Sequence, residues 1–130
     1  MPDPNKVRGV IVPDVTEYIE LDQINGLISA AGKAGALDII DAFKRSTLGL
    51  IDQLKAHHDA GAMQDGANVA HSIKGSAANI GASRIAETAQ QIEVDFKSGE
   101  TGQIPEMVSK MTDDFEQTLE KFSAHIAAFE

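Results

Sequence analysis

The sequence predicts an all-α protein, an antiparallel four-helix bundle preceded by a short N-terminal helix. Three observations carry that reading. Apolar residues recur at steps of three and four along most of the chain, no stretch sustains a two-residue alternation, and glycines punctuate the periodic segments. Four segments of roughly 15 to 25 residues joined by short loops pack most simply as antiparallel neighbours.

Residues 1–16, punctuated by Pro2, Pro4 and Pro13, read as an extended arm, and residues 17–130 as the bundle domain. Asp22 is expected to cap a short helix whose apolar face is Ile24, Leu27 and Ile28 and which ends near Gly32. A second helix, from about Gly35 to His58, carries Ile40, Phe43, Thr47, Leu50 and Leu54, and Gly61 closes it. The third runs from about Met63 to Ile80 with Val69, Ala70, Ile73, Ala77 and Ile80 on one stripe. Gly81 suits the left-handed position just past its end. The fourth, about Ala82 to Ser98, offers Ile85, Ala89, Ile92 and Phe96 before Gly99 and Gly102. The last starts near Ile104, with Pro105 in its first turn, and shows Met107, Met111, Phe115, Leu119, Phe122, Ile126 and Phe129.

Composition narrows the function. The 130 residues include 11 basic and 20 acidic side chains for a net charge of −9, and no cysteine. A disulfide scaffold, a thiolate metal cluster and a cysteine nucleophile are excluded. The acidic balance argues against nucleic acid, whose phosphates need clustered Lys and Arg. Residues 87–130 hold half of the acids and only three of the bases, a distribution that a solvated helix face explains. No apolar run is long enough for a signal peptide or a membrane span, so a cytoplasmic protein is expected.

The third helix carries the most informative residues. At about 100° per residue, His71 stands roughly 160° from the centre of the apolar stripe and points at water. Around it on that face lie Ala67, Lys74, Gly75 and Ala78, at steps of three, four and seven. Exposed helix positions ordinarily carry Glu, Lys, Gln or Arg. Glycine inside a helix costs about 0.8–1 kcal/mol relative to alanine, and a solvated face has no use for that loss. Small residues around one imidazole leave room for something bulky to approach. The Lys74 ammonium can meet an anion attached to the ring, and a neighbouring cation favours the neutral, nucleophilic imidazole.

The run His71-Ser72-Ile73-Lys74-Gly75-Ser76-Ala77-Ala78-Asn79-Ile80-Gly81 resembles the signature of the histidine-containing phosphotransfer (HPt) domain, H-x-x-K-G-x-x-x-x-x-G, and the similarity extends over residues 20–128. The resemblance implies a monomeric bundle that carries a phosphoryl group on His71, at the ring nitrogen farther from the main chain. It implies transfer from a receiver-domain aspartyl phosphate to another receiver aspartate, the receivers belonging to response regulators or a hybrid histidine kinase. Lys74 matches the lysine beside the phosphohistidine, Gly75 the clearance for the partner and Gly81 the helix-ending turn; Ala67 and Ala78 would meet the partner. Several members place a glutamine on the next helix near the imidazole, where this chain has Glu93, a carboxylate that would attract Lys74 and repel a phosphoryl group. Magnesium is expected on the receiver alone, with no cofactor or metal on this chain.

Nothing in the sequence supports autonomous kinase activity, since no phosphate-binding glycine loop of the G-x-x-x-x-G-K-[ST] form is present. His57 and His58 point about 100° apart on a helix and read as a solvated helix end rather than a metal pair. His125, between Phe122 and Phe129, reads as a histidine at the core boundary, and Met63, Met107 and Met111 as core residues. The competing function is a non-catalytic adaptor that docks a partner through the small-residue patch around His71, in which case His71→Gln keeps function.

Overall fold

The computed structural model describes residues 18–129, together with the backbone pairing of β1 (Lys6–Val7) with β2 (Val10–Ile11). That antiparallel pairing sets Lys6 opposite Ile11 and Val7 opposite Val10, and at two residues a strand it adds no layer to the fold. The remainder of the arm expected over residues 1–16 lies outside the described residues.

Four helices make the fold: α1 (Leu21–Ala60), α2 (Met63–Ile80), α3 (Ser83–Ser98) and α4 (Ile104–Ala128). Each packs against two others, in the cyclic order α1, α2, α3, α4. Contacts fix the directions. Asn25 meets His125 and Phe43 meets Phe115, so α1 and α4 run antiparallel. Gly66 lies against Phe96 and His71 against Glu93, so α2 and α3 do too.

The short first helix and the second helix of the sequence reading are joined more closely than their spacing predicts. Only Gly32 leaves helical geometry, with φ 77° and ψ 169°, a conformation essentially closed to residues with a Cβ. Lys33 resumes the helix at once. Asp22 is not the cap: Glu20 holds that position in extended backbone, and Asp22 sits in the first turn, where its charge complements the exposed amides. The start is fixed instead by the turn that follows α2, because the Glu20 amide donates to the Gly81 carbonyl at 2.6 Å. Gly81 adopts φ 85°, and a Cβ there would stand 2.9 Å from the Glu20 oxygen, so glycine is required twice over.

The apolar stripes of α2 and α3 bury as their periodicity requires. Along α4 and at its end, Met111, Phe115, Phe122 and Ile126 are buried, but Met107, Leu119 and Phe129 are half-buried, and Val108 and Thr118 take places on the core face. In α1 Ile51 takes the central place while Leu50 is half-buried. Phe96, Phe115 and Phe122 are almost completely enclosed, each stabilising the fold by about 1.5–3 kcal/mol through lost apolar exposure. With α1 on one flank of α2 and α3 on the other, a single strip of α2 remains open along its outer side. Among the described residues no helix is long and apolar enough to cross a membrane.

Candidate functional site

His71 stands midway along α2 on that open strip, its side chain 66 % exposed. Its orientation is nevertheless fixed. The ring nitrogen Nδ1 lies 3.1 Å from Oε2 and 3.4 Å from Oε1 of Glu93, which reaches across from α3. An ionised carboxylate can only accept a hydrogen bond, so Nδ1 is the donor and the neutral ring leaves its lone pair on Nε2. That nitrogen is the nucleophilic one.

The carboxylate that sets this tautomer is itself heavily engaged. The Glu93 side chain is 9 % exposed; Lys97 Nζ lies 3.1 Å from its Oε2 and Lys74 Nζ 3.7 Å from its Oε1. Burial alone would push its carboxyl up, but the hydrogen bond and charge of Lys97, then the charges of His71 and Lys74, outweigh burial and hold it below its ordinary value of 4.5. Glu93 is therefore charged at neutral pH. The contact between Glu93 and the imidazole, and the attraction of Lys74, are both present.

Around the ring the surface is bare on one side. A Cβ built on Gly75 would meet nothing within 4 Å, and Ala78 is exposed one turn further on. Ala67 departs from the sequence reading. The period sets it four residues before His71 on the exposed face, yet it is 1 % exposed. The cause is α3, which closes over the beginning of α2 so tightly that a Cβ on neighbouring Gly66 would stand 2.4 Å from the Phe96 ring. One helix wheel centred on one stripe underestimates the arc that two flanking helices cover, so Ala67 belongs to the core and cannot meet a partner.

Lys97 is the residue that sequence reasoning missed. Its signal was available, since a Glu followed four residues later by Lys on one helix face is a favourable pair. What the pattern could not show is that His71 and Lys74 arrive at the same carboxylate from another helix.

Two of the other histidines, His58 and His125, make structural contacts. His58 binds the Thr101 carbonyl at 3.1 Å, tying the end of α1 to the loop before α4, so it is more enclosed than a solvated helix end. His125 contacts Asn25 Oδ1 at 2.6 Å at the margin of the core. Arg84 and Lys121 lie 5.0 and 4.8 Å from the centre of the Tyr18 ring, holding the chain just before α1 against α3 and α4. Among the described residues no group of three His, Asp or Glu side chains is arranged to hold a metal ion.

A family model, Hpt domain, matches residues 38–125. The match covers α2, α3 and most of α1 and α4, well over half of the chain, and the chain belongs to the Hpt domain family. No curated protein and no solved structure matches it. Hpt domains are helical bundles that take part in histidine phosphotransfer in phosphorelays and interact with the receiver domains of response regulators.

Proposed function

We propose that this protein is a phosphorelay intermediate that accepts a phosphoryl group on Nε2 of His71 from a receiver-domain aspartyl phosphate and passes it to another receiver aspartate. The observation that carries the reading is an imidazole two-thirds exposed on the open strip of α2, with Nδ1 tied down by Glu93 and nothing within 4 Å of a Cβ built on Gly75.

The chemistry is balanced on both sides. The Nε2 lone pair attacks phosphorus, the acyl P–O bond breaks, and the receiver carboxylate leaves with its electron pair. Return transfer reverses each step, with a second carboxylate attacking and the P–N electron pair going back to Nε2. The receiver brings the magnesium and the acidic pocket that stabilise the transferring group. This chain contributes a positioned nucleophile, a cation at Lys74 and clearance at Gly75, and it acts as a carrier without kinase activity of its own, in the cytoplasm.

The test is phosphoryl incorporation from a phosphorylated receiver domain. His71→Gln should abolish acid-labile labelling while the helical circular dichroism signal stays at the wild-type level. Labelling that survives in the variant would assign the acceptor elsewhere, and full function without labelling would favour the adaptor.

A further inference from the structure

Three cationic or ionisable groups share one buried carboxylate. Lys97 Nζ and His71 Nδ1 each lie 3.1 Å from the same oxygen of Glu93, and Lys74 Nζ is 3.7 Å from the other oxygen. Lys97 is thereby held within about 6 Å of the imidazole, a range over which unit charges interact appreciably. Its side chain is 60 % exposed and that of Lys74 35 % exposed, so both ammonium groups sit on flexible stems with room to swing. Glu93 has no such freedom, being the enclosed member of the cluster.

A phosphoryl group on Nε2 changes the balance of charge at this point. It brings about two negative charges and three exposed acceptor oxygens. It also makes the ring an imidazolium as long as the proton on Nδ1 is retained. The carboxylate then faces a permanent positive charge, and the lysines face a stronger, better hydrated anion than the one they rest on.

We propose that Glu93 is a resting counter-ion: when His71 carries a phosphoryl group, Lys97 joins Lys74 in leaving the carboxylate for the phosphoryl oxygens, while the carboxylate keeps the proton on Nδ1. The inference rests on His71 being the acceptor. The exchange has two consequences. Lys97 becomes a phosphoryl-holding residue contributed by α3, opposite the Lys74 of α2. Glu93 makes the ring a better leaving group, because the P–N electron pair returns to an imidazolium and releases a neutral imidazole rather than an imidazolate. No proton has to enter or leave the ring in either direction of transfer. The groups that govern this behaviour are His71 and Lys74 facing Glu93 from α2 and Lys97 on its own helix.

The full chain, labelled with ¹⁵N-histidine and phosphorylated with potassium phosphoramidate, tests the exchange by ³¹P and ¹⁵N NMR. In Lys97→Met, which keeps the unbranched stem and removes the charge, the second ionisation of the phosphoryl group should move up by roughly half a unit because a nearby cation has gone. In Glu93→Gln, which keeps the shape, the phospho-form at pH 8 should last at least about threefold longer, because the imidazolium has lost its counter-charge. Its acid-side loss of lifetime should begin at a lower pH than in the wild type. A phosphoryl titration unmoved by Lys97→Met overturns the inference, as does a lifetime profile unmoved by Glu93→Gln, and each leaves His71 as the acceptor. Wild-type protein that takes no phosphoryl group on His71 overturns both the inference and the reading beneath it.

Discussion

A glycine that touches nothing is an unusual occupant of a helix interior, and Gly75 is one. Its open surroundings mean that a larger residue can be accommodated, so Gly75→Glu should fold at least as well as the wild type. Transfer from a phosphorylated receiver should slow by about tenfold or more, because the added carboxylate occupies the approach to Nε2 and repels the incoming group. Stopped-flow transfer rates set against urea midpoints separate the two effects, and an unchanged rate would remove the case for clearance. Glu93 makes a different prediction. Its folded-state carboxyl lies below the ordinary 4.5, so its ion pairs contribute stability above that pH and lose it as pH falls through the folded value. The stability of the wild type relative to Glu93→Gln should therefore shrink between about pH 5 and pH 3 in urea titrations. A difference that stays constant over that window would contradict the charge assignment.

Helix α2 carries a second interior glycine, and the pair shows what an element's sequence conceals. Gly66 and Gly75 have the same local cost, yet a Cβ at 66 would enter the Phe96 ring while a Cβ at 75 meets open space. Gly75→Ala should stabilise the protein by about 0.8–1 kcal/mol and Gly66→Ala should destabilise it by about 1–3 kcal/mol, read as opposite shifts in urea midpoint. The period in the run from Met63 to Ile80 does put Gly66 on the apolar stripe, seven residues before Ile73, and Gly75 on the open face; what it does not carry is how closely α3 approaches. Ala67 was misplaced for the same reason. By contrast, the apolar stripes, the stop at Gly81 and the exposure of His71 follow from the 3.6-residue period and from glycine's access to positive φ, and these were legible before any coordinates. The single-residue break at Gly32 was half legible: the glycine marked an end, but the backbone needs only one unusual residue there, not a loop reaching Gly35.

Across the whole molecule, the legible part is the order of helices and the open strip on α2; the illegible part is the register between neighbours. That register brings Glu93 and Lys97 to His71, and it also leaves polar groups inside the bundle. Thr118 on α4 is completely buried, and its hydroxyl oxygen has no hydrogen-bond partner among the described residues. Replacing it by the isosteric valine removes an unsatisfied group from the core, so Thr118→Val should raise stability by about 1 kcal/mol without changing transfer. A loss of stability in chemical denaturation would show that the hydroxyl is engaged after all.

The fold contributes to function by holding one nitrogen still and uncovered, with ammonium groups on either side of a buried acid. The measurement that tests this most directly is to incubate the chain with a phosphorylated receiver domain, digest it at alkaline pH and locate the phosphoryl group atom by atom. The account predicts a single adduct, stable to base and labile to acid, on Nε2 of His71. An adduct on Nδ1, or on any other residue, would contradict it.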